Sequence, residues 1–369
     1  MADPIRIGVI GCGAISGAYL GMAKNFPTVQ IAAVADLNRE AAEKKAAEFQ
    51  VPRVLGVDEL IADKSIDIVL NLTIPKAHAP IAIAALEAGK HTYCEKPLGI
   101  NRAEGQKVLD LAKKKNLLVG CAPDTFMGAG IQTARKAIDD GAIGRPIGFT
   151  AFMLCRGHEG WHPSPEFFYE PGGGPMFDMG PYYLTALLNL LGPIKRLAGA
   201  TSIAIPDRTI TSQPKFGKKI TVTTPDHYVG TVEFQNGAIG AIVTSFAVMS
   251  SQQNGEQPIS IFGTEGTILV PDPNGFDGKV LVRTGGDKEW REVPPAFVTG
   301  YGRSVGLADL AGAVRKGRPF RPNGELAFAV LDAMQGFLDS SESGKFHVPT
   351  AKFERPAPMR ADLPFGTLD

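Results

Sequence analysis

A run of strand-forming residues, Ile5-Arg6-Ile7-Gly8-Val9-Ile10, leads into Gly11-Cys12-Gly13-Ala14-Ile15-Ser16 and a helical stretch over residues 14–24. A second apolar run, Ile31-Ala32-Ala33-Val34-Ala35, stops at Asp36. The alternation continues with a helix over 39–49, a buried-type strand over 67–72, and an Ala-rich helix over 77–88 stopped by Gly89. A short strand over 91–94, a helix over 102–114 and a strand over 117–121 follow. Strands alternating with helices predict a parallel sheet with helices on both faces.

The pattern changes after residue 123. A helix is predicted over 131–140, a strand over 146–154, a Gly/Pro/aromatic loop over 156–175 and a helix over 176–191. Strands dominate 194–293, with turn signals at Gln235-Asn236-Gly237 and Gly263-Thr264-Glu265-Gly266. Helices over 302–315 and 325–340 precede a tail carrying Pro356, Pro358 and Pro364. Residues 228–234 and 238–247 read as a hairpin. Ile239, Ala241 and Val243 share one face of it, Ile242 and Phe246 the other. Neither face alternates with charge, so both read as covered, one by the chain's own helices and one by a partner subunit. That predicts a homodimer or homotetramer.

Composition adds limits. A length of 369 residues suits two domains, read as 1–123 and 124–369 from the change of pattern. Basic and acidic side chains balance at 38 each, which gives no attraction to nucleic acid or to an anionic membrane. Cys12, Cys94, Cys121 and Cys155 are scattered and form no CxxC, so they read as small core residues rather than a disulfide framework or a metal site. The first strand starts within five residues of Met1, leaving no room for a signal peptide, and no apolar run spans a membrane. The expected location is the cytoplasm.

Strand, glycine turn, helix, strand and acid stand in the order a dinucleotide site needs. Gly11 permits the tight turn, and Gly13 lets the backbone approach a pyrophosphate. Ala14 and Ile15 open the helix, whose free N–H groups and dipole favour phosphate. Asp36 suits both hydroxyls of the adenosine ribose and repels a 2′-phosphate, favouring NAD over NADP. Ser16 takes the third glycine position, with Gly17 one residue late. Arg39 is open to three readings: stacking on adenine, contact with a 2′-phosphate, or simply the start of the next helix.

Two further segments carry chemistry. Leu72-Thr73-Ile74-Pro75-Lys76-Ala77-His78 and Tyr93-Cys94-Glu95-Lys96-Pro97 both leave the carboxyl ends of predicted parallel strands, the edge where open α/β sheets bind ligands. Gly172-Gly173-Gly174-Pro175-Met176-Phe177-Asp178-Met179-Gly180-Pro181-Tyr182 puts Asp178 and Tyr182 four apart, on one face if the segment is helical. With the glycine turn and the Gly-Thr-Glu-Gly hairpin, these motifs resemble the Gfo/Idh/MocA family of NAD(P)-dependent sugar and cyclitol oxidoreductases over nearly the whole chain. The resemblance implies an α/β N-terminal Rossmann domain for dinucleotide binding over 1–123 and an α+β C-terminal domain for substrate binding and oligomerisation over 124–369, on an open, mostly antiparallel sheet, with the substrate between them. It implies Lys96 as the catalytic lysine and cofactor contacts at Gly11, Gly13, Asp36, Thr73, Pro75, His78 and Glu95.

The family's second motif, Asp-x-Gly-x-His, falls on Asp178-Met179-Gly180-Pro181-Tyr182, with tyrosine at the histidine position. Tyrosine is a poor base at neutral pH unless a nearby cation helps it. The proton acceptor is therefore Lys96 with Tyr182, Lys96 alone, or His162. Asp178 is expected to orient the substrate. Trp161 and His162 are candidate substrate ligands, as is Asp124, whose bland alternative is a cap. His158-Glu159-Gly160-Trp161-His162 matches HExxH, but Gly160, Pro163 and Pro165 oppose the helix that zinc chemistry requires, so no metal is expected. The favoured function is hydride transfer between nicotinamide and a secondary alcohol or ketone of a sugar, glycoside or cyclitol. One alternative retains its NAD and cleaves glycosides by transient oxidation and elimination. Another is a non-catalytic regulator that senses NAD or a sugar.

Overall fold

The computed structural model describes residues 3–253 and 255–369, which form two compact units. The first unit begins with β1 (Ile5–Ile10), α1 (Ser16–Ala23), β2 (Val29–Ala35), α2 (Arg39–Phe49) and α3 (Val57–Ala62). It continues through β3 (Ile68–Asn71), α4 (Pro75–Glu87), β4 (His91–Cys94), α5 (Arg102–Lys115) and β5 (Val119–Cys121). Its five strands run parallel in the order β2-β1-β3-β4-β5. The order reverses beside β1, so the loops after β1 and β3 flank the crevice where such sheets take ligands.

Local chemistry sets these elements. Asn38 and Asn101 cap α2 and α5 by accepting from the Ala41 and Glu104 N–H groups, at 3.2 and 3.0 Å. Pro75 starts α4, where its missing N–H costs nothing. The six-residue α3 was not expected, because so short a helix shows less than two turns of periodicity.

The second unit holds α6 (Ala129–Asp139), β6 (Pro146–Leu154), α7 (Gly174–Asp178) and α8 (Gly180–Leu191). Then come β7 (Ile194–Ser202), β8 (Asp207–Thr209), β9 (Lys219–Thr221), β10 (His227–Phe234) and β11 (Ile239–Ser245). The strands β12 (Ile259–Gly263), β13 (Gly266–Val270), β14 (Val280–Thr284) and β15 (Arg291–Val293) complete it. Eight of these strands form one sheet, β15-β14-β13-β12-β6-β11-β10-β7, antiparallel except where β6 meets β11. The helix predicted over 176–191 is broken at Met179: Pro181 has no N–H, and the Tyr182 N–H reaches back only to Met179 O, at 3.0 Å.

The last helices are α9 (Val305–Lys316) and α10 (Gly324–Ser343). Here the fold departs from the expected division at residue 123. Residues 297–328 and 356–369 return to the first unit, and the second comprises 130–296 and 329–355. Leu307, Leu310, Ala311 and Phe320 join Ile7, Val9, Leu70 and Tyr93 in one buried cluster. Arg321 ties the tail down, donating to Ala357 O at 3.1 Å, to Pro358 O at 3.0 Å and to Asp369 Oδ1 at 2.7 Å.

One face of the large sheet is covered by its own chain. The Phe337 ring of α10 lies against the paired Gly199 and Gly230, where any Cβ would collide with it. On the opposite face Val229 and Ile239 are exposed, and Ala241 and Val243 half-buried. No helix among the described residues is long and apolar enough to cross a membrane.

Candidate active site

The turn after β1 is fixed by backbone sterics. Gly11 sits at φ +103°, and a Cβ there would stand 2.7 Å from the Leu72 carbonyl and 2.9 Å from the Thr73 nitrogen. No residue but glycine lets the β1 and β3 loops close on each other. Gly13 is the converse: a Cβ there would meet nothing within 4 Å, so open space lies in front of it. Gly13 and Ala14 are exposed and Ile15 half-buried, at the N-terminus of α1. Ser16 turns inward and donates to Gly13 O at 2.7 Å. A Cβ at Gly17 would meet Lys45 and the Phe49 ring of α2 at ordinary contact distance, so this position does not demand glycine.

Asp36 follows β2 and is braced by two amides: Cys12 N–H donates to Oδ2 at 2.7 Å, and Asn38 N–H to Oδ1 at 2.8 Å. Each carboxylate oxygen keeps lone pairs for a ribose hydroxyl. Arg39 opens α2 and pairs with Glu43 at 2.9 Å. The open space at Gly13, the helix terminus beyond it and the braced carboxylate together fit NAD.

The loops after β3 and β4 are joined by His78. Its ring is 1% exposed, with Nδ1 2.7 Å from Pro97 O and Nε2 3.1 Å from Thr73 O. Burial pulls its pKa below the ordinary histidine value, against the pull of the two carbonyls. Thr73 Oγ1 donates to Asn71 Oδ1 at 2.6 Å, and Pro75 is the first residue of α4. Glu95 is also turned inward: Tyr19 Oη donates to Oε1 at 2.8 Å, and the Lys96 N–H to Oε2 at 2.9 Å. Burial, then the Glu95 charge, pushes the Tyr19 phenol well above its usual pKa, so it stays a donor. His78 and Glu95 thus hold the loop that carries the half-buried Lys96.

Asp124 is a correction. Rather than facing a substrate, it is 0% exposed, and Oδ2 accepts from the Ser304 and Gly306 N–H groups, each at 3.0 Å. Arg303 Nη1 lies 3.7 Å from Oδ1. Burial raises the Asp124 pKa, with Arg303 opposing it. The carboxylate holds Ser304 at φ +97°, an uncommon conformation for a non-glycine residue, at the start of α9.

In the second unit, Asp178 ends α7 and Tyr182 lies in the first turn of α8, 6% exposed. Beside Asp178 stands His158, whose Nε2 lies 3.4 Å from Asp178 Oδ2. In the sequence His158 stood out only through the HExxH match, which Gly160 and the following prolines argue against as a zinc site. Among the described residues no group of three His, Cys, Asp or Glu side chains is placed to hold a metal. Trp161 is 64% exposed and packs edge-on against His158 and His162, with ring centroids 5.2 and 5.3 Å away. His162 Nδ1 accepts from the Ser164 N–H at 3.0 Å, and burial lowers its pKa.

A family model described as "Oxidoreductase family, NAD-binding Rossmann fold" matches residues 5–122, and the "GFO/IDH/MocA C-terminal domain" matches residues 131–269. The chain belongs to the Gfo/Idh/MocA family. Its first unit is accordingly an NAD-binding Rossmann domain and the protein an oxidoreductase. Among Gfo/Idh/MocA relatives, a levoglucosan dehydrogenase of Pseudarthrobacter phenanthrenivorans is 29% identical over 72% of this chain and 73% of its own. A myo-inositol 2-dehydrogenase of Thermotoga maritima is 26% identical over 72% and 75%. A levoglucosan dehydrogenase solved in complex with NADH superposes with a TM-score of 0.80 at 25% identity, covering 95% of this chain and 100% of that one. An NAD binding oxidoreductase from Klebsiella pneumoniae, at 21% identity, shares the fold with a TM-score of 0.82 over 95% and 100%.

Proposed function

We propose that this oxidoreductase prefers NAD and oxidises a secondary alcohol of a sugar, glycoside or cyclitol, or reduces the matching ketone. The observation that carries this reading is the placement of Lys96. It follows β4 at the carboxyl edge of the parallel sheet, on a loop braced by Glu95 and by His78. Bound nicotinamide supplies the hydride acceptor. Lys96 takes the hydroxyl proton, Asp178 orients the substrate, and Tyr182 is a second proton-transfer group. The exposed Trp161 offers an apolar face to a sugar ring, with His162 beside it. The names of the relatives support the carbohydrate class, and the two-amide brace on Asp36 supports NAD.

The half-exposed apolar face of the large sheet supports a homo-oligomer joined there. The cytoplasmic expectation draws on four free thiols. The deciding experiment is a panel of sugars, glycosides and cyclitols with NAD and NADP, monitored for reduced cofactor. Net NADH with an oxidised sugar is expected. Release of an aglycone without net NADH would replace the dehydrogenase with an elimination enzyme.

A further inference from the structure

His158 lies on a turn after β6, and Asp178 closes α7. The family motif would supply an imidazole from the position of Tyr182. Here the imidazole beside the motif's aspartate comes from a different element. The His158 ring is 8% exposed and packed against Phe168 and Phe246, at centroid distances of 4.1 and 4.4 Å. Among the described residues neither ring nitrogen makes a hydrogen bond, and Nε2 lies 3.4 Å from Asp178 Oδ2.

The turn itself is anchored deep in the second unit. His158 N–H donates to Tyr169 Oη at 2.9 Å, and the Tyr169 hydroxyl donates to Glu159. Arg208, its side chain 2% exposed, donates to Glu159 Oε1 at 2.9 Å and Asp226 Oδ2 at 2.8 Å. Gly157, at φ +105°, leaves room for this knot, since a Cβ there would collide with the Tyr169 hydroxyl and the Arg208 guanidinium. Such bracing sets the ring's direction in advance.

A neutral imidazole carries one proton, on either nitrogen. Beside a carboxylate oxygen, the lower-energy choice puts the proton on the facing nitrogen. We infer that His158 is a positioning residue for the reaction: it holds its proton on Nε2, donates it toward Asp178 Oδ2, and thereby fixes the Asp178 carboxylate that meets the substrate hydroxyl. The ring is too buried to touch substrate, whereas Asp178 is partly exposed. This inference rests on the carbohydrate-dehydrogenase reading for its consequence, but not for its geometry.

Two measurements test it. The first is nitrogen NMR of 15N-histidine-labelled protein without cofactor or substrate, with the His158 signals assigned by their loss in His158→Gln. An Nε2–H tautomer is expected, giving way to a mixture in Asp178→Ala. An Nδ1–H tautomer in the unaltered protein, or no change in Asp178→Ala, would overturn the pairing. The second compares His158→Phe with His158→Gln, using the sugar that reduces NAD best. Phe keeps the aromatic packing and removes the donor; Gln returns an N–H near Nε2 and loses the ring. His158→Phe should lose about 10- to 100-fold in kcat, the scale of a hydrogen bond to a charged group, with NAD affinity unchanged. His158→Gln should recover about tenfold of that loss. The reverse ranking would make His158 a packing residue only. If no sugar reduces NAD, the function reading fails while the tautomer measurement still decides the pair.

Discussion

Tyr19 Oη donates to Glu95 Oε1 at 2.8 Å, tying the helix that follows the glycine turn to the loop that carries Lys96. One hydroxyl thus links the cofactor-binding turn to the proposed proton acceptor. Tyr19→Phe leaves a buried carboxylate oxygen without its donor, a loss of about 1–3 kcal/mol. The expected result is lower thermal stability and a kcat reduced by roughly tenfold, with a smaller change in NAD affinity. Calorimetric unfolding and steady-state kinetics check both, and an unchanged kcat would free Lys96 from this brace.

Cofactor choice follows from Asp36. Its carboxylate is held by the Cys12 and Asn38 amides, and on the proposed reading it meets the adenosine ribose and repels a 2′-phosphate. Asp36→Asn keeps the size and removes the charge. The ratio of kcat/KM for NADP to that for NAD should rise by about tenfold or more. A native enzyme that already turns over NADP better than NAD would contradict the assignment.

Proton transfer separates Lys96 from Tyr182. Lys96→Ala should lose at least ~100-fold in kcat, the usual scale for a general acid–base group, with NAD binding measured by fluorescence titration nearly unchanged. Tyr182 is 6% exposed, so two roles compete. If its hydroxyl passes the proton, Tyr182→Phe should cost a similar factor and alter the pH–rate profile. A silent Tyr182→Phe would leave it as core packing and make His162→Ala the next variant.

Assembly is tested at the outer face of the large sheet. Val229 and Ile239 are 45% and 57% exposed on paired strands β10 and β11. Light scattering should report a dimer or tetramer, and Val229→Lys combined with Ile239→Lys should shift it toward monomer. A monomer at micromolar concentration in the unaltered protein would sink the idea.

Acid should loosen the aromatic loop. Lys215 and Lys218 both donate to Glu166 Oε1, at 2.7 and 2.8 Å, and their hydrogen bonds lower the Glu166 pKa from 4.5 to about 2. A carboxylate with a depressed folded-state pKa contributes stability that is fully present above its unfolded value. That contribution therefore stands above pH 4.5 and is lost as pH falls toward about 2. The pair is solvent-facing, so the effect is small and weakened by salt. Tryptophan fluorescence, dominated by loop and strand-edge environments at Trp161 and Trp290, should show a salt-sensitive change in that window that Glu166→Gln lacks.

What neighbouring residues control was legible along the chain. The βαβ order came from apolar runs of strand length, and the turn from Gly11, whose positive φ is a local requirement, although the space a Cβ would need is taken by the distant Leu72–Thr73 backbone. Asn38 and Asn101 cap α2 and α5 through amides three residues on, so these helix starts are also set by near neighbours. The Glu95-Lys96-Pro97 and Asp178 motifs were legible as short strings at predicted element ends. Long-range packing returned α9 and the tail to the first unit, since an apolar face does not name the surface it covers. It turned Asp124 inward onto the Ser304 and Gly306 amides, a contact between segments far apart in the chain. It also set His158 against Asp178, which no spacing rule encodes, because a loop residue's direction is fixed by the buried Arg208 network beneath it. Periodicity reports which face of an element is buried; the identity of the partner emerges only when distant segments pack.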